Sequence, residues 1–306
     1  MKLSFFVVAA LLSACSSAPI TTTHPLDSPN QYLVTDGTTS ALILDGPKGF
    51  EVVAKRDGGV VSSGKEIWLY ETLSEDQPEA DCDCFMAAFN EGAEPSAECT
   101  KTVKKPYISL TRLRDSKVIR PFPSWSSPDS ESGTSFSLNG VVENHVIVEA
   151  CGSAYSCGAA HPSGSCEVVA INLSTGEPTK IDSLAPNVDL KKAWAAILEA
   201  NPDIGAECPE DATCKDFDSN EVSVTSVRTR FSGSAAFVEA LVTTPACYAC
   251  SDGKWSSYTV GTWQAVSASE ELPAPVAAYF SASKSSPSWT QVSSENRTAI
   301  EAAFAK

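Results

Sequence analysis

Basic residues are few in this chain. It has 22 Lys and Arg against 38 Asp and Glu in 306 residues, a formal net charge of −16. A surface this acidic repels phosphate backbones and anionic membranes, which excludes nucleic acid as a partner and favours cationic ones. Histidine is scarcer still, with three copies, and methionine has two. The three histidines stand at no common zinc-ligand spacing, and we find no Ser-His-Asp or paired-carboxylate pattern. Beyond the first residues no apolar run is long enough to span a bilayer. No internal repeat is visible.

The start of the chain, MKLSFFVVAALLSACSS, is different. Lys2 precedes a short apolar run, Leu3 to Leu12, too short to cross a membrane but suited to the core of an export signal. It ends in Leu12-Ser13-Ala14-Cys15, which resembles the bacterial lipobox. That resemblance implies cleavage before Cys15 and a diacylglycerol on its thiol, so the membrane is a partner through lipid. Ser16 after the cysteine resembles the pattern sorted to the outer membrane. The expectation is a signal peptide over 1–14 and a Ser/Thr/Pro-rich flexible tether over 15–31.

Export sets the redox context. Of 11 cysteines, ten remain once Cys15 is set aside, an even number in an oxidising compartment, so disulfides are expected. Short closures predict Cys208 with Cys214, and Cys82 or Cys84 with Cys99. The spare of that pair joins Cys151, Cys157, Cys166, Cys247 and Cys250, which pair among themselves and tie a His-Pro loop to later strands.

From residue 32 onward, β-branched and aromatic runs alternate with Gly, Pro, Asp and Ser clusters. Strands are expected at Ala41–Leu44, Phe50–Ala54, Glu66–Glu71, Tyr107–Leu113, Val141–Ala150, Cys166–Leu173, Val222–Phe231, Ala235–Thr243 and Ser256–Val266. Leu190, Trp194, Ile197 and Leu198 recur at helical spacing, with Asn187 or Asp189 to cap and Pro202 to stop the run. A second helix, capped by Ser293 or Ser294, buries Ile300, Ala303 and Phe304. This predicts an α+β fold, β-rich with antiparallel sheet, a few helices and disulfide staples. A β-rich N-terminal region is expected over 32–140 and an α+β domain over 141–306.

Residues 151–166, CGSAYSCGAAHPSGSC, join two expected strands. Cys151, Cys157, His161 and Cys166 could supply four zinc ligands, but their spacings match no common pattern, and export favours oxidation. A cysteine nucleophile with His161 as base would need a thiol that escapes pairing. A disulfide-held loop is the better reading. His145, in the first of the two strands, is expected on a polar, solvated face. Other motifs are weaker. Cys247-Tyr248-Ala249-Cys250 precedes a turn rather than a helix. Asp216, Asp218 and Asn220 open like a calcium loop but lack its glycine and final glutamate. Ser62-Ser63-Gly64-Lys65 and Ser281-Ala282-Ser283-Lys284 match S-x-x-K without partner motifs. Trp255, Tyr258 and Trp263 are aromatics of the kind that stack on sugars, although strand aromatics more often serve the core.

The segment NHVIVEACGSAYSCGAAHPSGSCEVVAINLSTGEPTKIDSLAP resembles a domain of unknown function found outside lysozyme-sensing anti-sigma factors, in bacterial lipoproteins and beside peptidoglycan deacetylases. Tyr155, Gly158-Ala159-Ala160-His161-Pro162, the strand Val168–Leu173, the turn Thr175-Gly176 and Ile181-Asp182-Ser183-Leu184 follow its order. The resemblance covers roughly residues 141–201; Ala159 departs from it, standing where the family has glycine. It implies an α+β fold and supplies no catalytic residues. The resulting expectation is a lipid-anchored envelope binding module without catalysis, cofactor or metal. Its candidate binding loop is Tyr155, Gly158, His161 and Pro162. Its partner is a cationic cell-wall hydrolase such as lysozyme, steered by acidic segments at Glu75–Asp83 and Glu207–Asp218. The alternative is an envelope hydrolase acting on cell wall or carbohydrate through His161.

Overall fold

Alternating apolar and polar residues between tight turns form strands that pair with their chain neighbours. In the computed structural model, which describes residues 30–92, 99–122, 130–202, 221–245, 259–267, 270–282 and 288–305, this repeats four times. The first sheet holds β1 (Gln31–Thr35), β2 (Thr39–Gly46) and β3 (Gly49–Asp57). The second is β4 (Gly59–Ser63), β5 (Glu66–Ala80), β6 (Thr100–Arg112) and β7 (Val118–Ile119). The third is β8 (Ser130–Val142), β9 (His145–Ser156), β10 (Ser163–Asn172) and β11 (Pro178–Thr179). The fourth is β12 (Ser223–Ser232), β13 (Ala235–Pro245) and β14 (Thr259–Ala265), with β15 (Glu270–Glu271) paired to β13. The last strand, β16 (Ser288–Gln291), returns to β1 and completes the first sheet. All sixteen described strands pair antiparallel within their sheets.

Apolar faces seal each sheet to the next. Leu33, Leu42, Val60, Ile67 and Leu69 join the first to the second. Trp68, Leu110, Leu138, Val146 and Val148 join the second to the third. Val142, Ile147 and Ala170 meet Val238 between third and fourth. Tyr32, Val34 and Ile43 meet Ala236 and Leu272 between fourth and first. The four sheets thus close in a propeller-like ring, with β4, β8, β12 and β16 at its inner edge. At that edge Gly140 has φ 122°, and a Cβ there would stand 2.9 Å from the Thr229 hydroxyl, which itself donates to the Val141 carbonyl at 3.1 Å. Only glycine lets β8 and β12 approach so closely.

Four helices lie among the described residues: α1 (Cys82–Asn90), α2 (Leu190–Ala200), α3 (Ala274–Ala282) and α4 (Arg297–Phe304). A 3-10 turn spans Ile181–Leu184. The β-rich, disulfide-bonded character expected from the sequence is present. The α+β label fits only in part, because strands form every sheet-to-sheet seam and the helices are short additions to them. The expected division at 140/141 falls inside β8. The expected tether ends one residue late, since Gln31 opens β1 and is buried.

The strand expected at Val141–Ala150 is two strands. Val142 and His145 close the β8–β9 ladder, leaving Glu143-Asn144 as a two-residue turn with Glu143 at φ 52°. Both faces of β9 are then covered. Val146, Val148 and Ala150 face the second sheet and Ile147 the fourth. His145 is correspondingly half-buried rather than solvated: its Nε2 lies 3.3 Å from the Asn172 amide, and its buried Nδ1 has no hydrogen-bond partner.

Candidate functional site

Two hairpins outgrow the ring. β5 and β6 pair without a break from Trp68–Arg112 to Ala80–Thr100. β9 pairs with β8 as far as Ser156–Ser130, and with β10 from Ser163 onward. The Gly- and Ser-rich stretch expected as loop therefore extends the strands, and the connection shrinks to residues 157–162. Small residues lie flat in the ladder, and Cys151 and Cys166, direct cross-strand partners with Cα atoms 4.0 Å apart, are joined by a disulfide that pins the register.

Asp81 ends β5 and caps α1, accepting from the Cys84 amide at 3.2 Å. Cys84 bonds to Cys99 and closes the connection back to β6. Cys82 bonds to Cys157, with Cα atoms 5.0 Å apart. The His-Pro loop is thus tied to an earlier helix, not to later strands as expected; β5 and β9 project side by side, which brings positions 75 residues apart together. Gly158 takes the left-handed conformation at φ 86°, with its missing Cβ 3.4 Å from the Met86 sulfur. The Ala159 amide donates to the Ser156 carbonyl at 2.9 Å. The left-handed position is 158 rather than 159, so alanine meets no glycine requirement at 159.

His161 and Pro162 are exposed on this loop, and His161 Nδ1 lies 3.3 Å from the Pro162 carbonyl oxygen. Tyr155 is half-buried on β9 opposite Glu131. Cys151, Cys157 and Cys166 are all in disulfides, so none is a free nucleophile or zinc thiolate. Among the described residues, the one group of three or more potential metal ligands that converges is Glu149, Cys151 and Cys166, and its two sulfurs are bonded to each other.

The acidic segment Glu75–Asp83 runs from strand into helix, and most of its charge is already engaged. Its first four acids lie on β5 or cap α1. Glu75 pairs with Arg120 at 2.8 Å and Asp76 with Lys104 at 2.8 Å. Glu79 pairs with buried Lys105, whose ammonium also reaches Ser132, while the Ser132 amide donates to Glu79 at 2.6 Å. Burial pushes the Glu79 carboxyl up, but the Lys105 ammonium and the Ser132 amide outweigh it and hold the group below its ordinary value. The Arg120 guanidinium, with help from Gln77, does the same for Glu75. This network clasps β5 and β6 to β8 and leaves Asp83, exposed on α1, facing solvent.

One residue escaped the sequence reading. Cys82, Met86 and Phe89 fall at i, i+4 and i+7, a single stripe of α1. The stripe begins buried at the disulfide, passes Met86 beside Gly158, and ends in Phe89, which is 66% exposed. The i, i+4, i+7 spacing stands in the sequence, but it is short and carries a second cysteine and acidic neighbours. Trp263 is not free for stacking, because the Arg228 guanidinium lies 3.7 Å from its ring centroid. Cys15, Cys208, Cys214, Cys247, Cys250, Trp255, Tyr258 and the Asp216–Asn220 segment lie outside the described residues.

No protein-family model, curated protein or solved structure matches this chain.

Proposed function

We propose that this protein is a lipid-anchored binding module of the bacterial cell envelope, without catalysis, that docks a basic envelope protein such as a cationic cell-wall hydrolase of the lysozyme type against its stapled end. Anchoring rests on the lipobox at Cys15, and the outer membrane rests on Ser16. The resemblance of residues 141–201 to the extracellular domain of lysozyme-sensing anti-sigma factors supports the partner class. The carrying observation is Phe89, an exposed aromatic on a helix that a disulfide fixes beside the His161 loop. A net charge of −16 brings a basic protein near, and a fixed apolar side chain gives the encounter something to hold. Charge alone fades with salt; a desolvated aromatic does not.

The test titrates lysozyme against the lipid-free domain at low and physiological salt. Binding persists at physiological salt and weakens about tenfold in Phe89→Ser, a change at an exposed position that leaves the fold intact. Affinity lost at physiological salt, or unchanged in Phe89→Ser, overturns the docking. Anchoring is read separately: Cys15→Ala abolishes labelling by a fatty-acid analogue, and unchanged labelling overturns it.

A further inference from the structure

Along a strand in an antiparallel sheet, successive residues aim their N–H and C=O groups to opposite sides. Two bonds fix that phase for β10. The Leu173 amide donates to the Asn144 carbonyl at 2.8 Å, toward β9, and the Asn172 amide donates to the Glu177 carbonyl at 2.9 Å, away from it. β10 pairs with β9 from Ser163 to Asn172 without a register shift, so its odd-numbered residues bond to β9 and its even-numbered ones face outward. β11 meets β10 only at Ala170 and Ile171. Gly164, Cys166 and Val168 are left with amides and carbonyls aimed outward, and among the described residues no strand or backbone group meets them.

This edge is bare. Residues 163–167 are all exposed, on both faces of the strand. The other three sheets guard their outer strands. β3 has a bulge between Val52 and Ala54 and carries Lys55 and Arg56. β6 carries Lys101, Lys104 and Pro106. α2 packs against Val260 of β14. β10 has no Lys, no Pro and no bulge. An open strand edge without such guards is a template for another strand.

We propose that an extended basic segment of a partner protein adds to the third sheet along β10, antiparallel to it and in line with β11. Charge selects the occupant. Strands β8 to β11 hold Glu131, Glu149 and Glu167 and no Lys or Arg. Glu131 is paired with Lys101 at 2.6 Å, but Glu167 stands exposed on the open strand itself. A Lys or Arg directly opposite Glu167 gains a cross-strand ion pair. Incoming residues opposite Gly164, Cys166 and Val168 lie on the other face, beside the Cys151–Cys166 disulfide and half-buried Val168, where apolar side chains fit. Main-chain bonds supply affinity, and alternating basic and apolar residues supply the match. A second copy fits less well, because pairing two β10 edges sets like charges together between chains that each carry −16. The edge begins next to Pro162 but uses main-chain groups rather than the Phe89 side chain, so it stands or falls independently of the docking reading.

The experiment titrates the lipid-free protein with three peptides of about eight residues, long enough to cover the open edge at ~3.3 Å per residue. One alternates Lys and Val, the second is the same peptide N-methylated at every Val, and the third alternates Glu and Val. The Lys-Val peptide binds saturably at physiological salt. Its methylated form keeps the charge but lacks the donors that face β10, and binds about tenfold more weakly. The Glu-Val peptide does not bind. With the Lys-Val peptide bound, amide exchange followed by NMR slows at Gly164, Cys166 and Val168 and is unchanged at Ser165 and Glu167, which already bond to β9. Glu167→Lys, at an exposed position, weakens the Lys-Val peptide, with a thermal melt confirming the fold. Absence of saturable binding, equal affinity for the methylated form, no slowing at the three outward amides, or loss of peptide binding in Phe89→Ser overturns the strand addition. A concentration-dependent dimer that slows the same three amides without peptide assigns the edge to a second copy and overturns the basic segment.

Discussion

At the scale of single residues, the seam between the second and third sheets turns on Arg112. Its guanidinium grips Asp115 in a two-pronged contact at 2.8 and 2.6 Å, donates to the Ser174 carbonyl at 2.7 Å, and lies 5.3 Å from the Trp68 ring centroid. The Trp68 indole in turn donates to the Leu173 carbonyl at 2.8 Å. One arginine therefore carries the turn after β6 across to the third sheet. The same contact holds the Asp115 carboxyl at about 2, against an ordinary 3.8, chiefly through the Arg112 hydrogen bonds. A carboxyl depressed on folding adds stability that is complete above its unfolded value and disappears as pH falls through its folded one. The contribution of Asp115 is thus full above pH ~4 and gone near pH 2. Thermal melts of the natural protein and Asp115→Asn will differ most at pH 6 and converge by pH 2. A gap of constant size down to pH 2 contradicts the assignment. The comparison between variants matters because the whole chain also sheds net negative charge over that range.

Elements show how local sequence and distant contacts divide the fold. α1 has nine residues, too few to persist alone in water; of the two disulfides that hold it, Cys84–Cys99 ties it to its own hairpin, and its place against β9 depends on the Cys82–Cys157 bond. That bond closes a loop of 75 residues, for which chain entropy gives roughly 4 kcal/mol. Cys82→Ala/Cys157→Ala will lower unfolding stability by about that amount. It will also release the α1 amides to fast hydrogen exchange while β9 stays protected. Unchanged exchange in α1 would show that packing, not the disulfide, holds the helix. What could be read in the sequence follows the same division. α2 was legible because everything it needs is local: Asp189 caps the Lys192 amide, and Ala193, Trp194 and Ile197 recur on one buried face. The burial of Ile300 and Ala303 in α4 was legible, with Phe304 only half-buried, and the position before the helix is held by Asn296 rather than Ser293 or Ser294, without a side-chain cap. α3 was not, because Ala, Val and Phe on every side leave no period. β8 hid in Ser, Gly and Asn, and is a strand because β9 pairs along it, not because its residues favour one. The binding end divides likewise. The loop cysteines and glycine were visible, whereas the partnership of Cys157 with Cys82, and with it the position of Phe89, required two hairpins to come together.

For the whole molecule, the question is what keeps a ring of four sheets from opening. The four meanders share an architecture but no residue pattern, which is why no repeat was visible; β4 spans five residues and its neighbour β5 fifteen. Each seam is sealed by apolar side chains from successive sheets, and three of the four join segments continuous in the chain. The fourth is closed only when the far end returns. β16 pairs Tyr32–Gln291 through Thr35–Ser288 with β1, and the residues after it add Val292, Ile300 and Ala303 to the core of the first and second sheets. Without them β1 becomes an unpaired edge, and Leu33 and Leu42 lose their cover, so both hydrogen bonding and burial fail at one place. A chain ending at residue 287 will therefore lose cooperative unfolding and expose apolar surface, read as dye binding and a broadened melt. Adding a synthetic peptide of residues 288–306 will restore the sharp transition, because a missing inner strand can be supplied from outside the chain. A truncated chain that melts as sharply as the full one would mean that the ring does not depend on its closing strand. If the truncated chain proves insoluble, co-expression of the two pieces provides the same comparison: recovery of soluble protein supports closure by β16, and failure to recover it counts against.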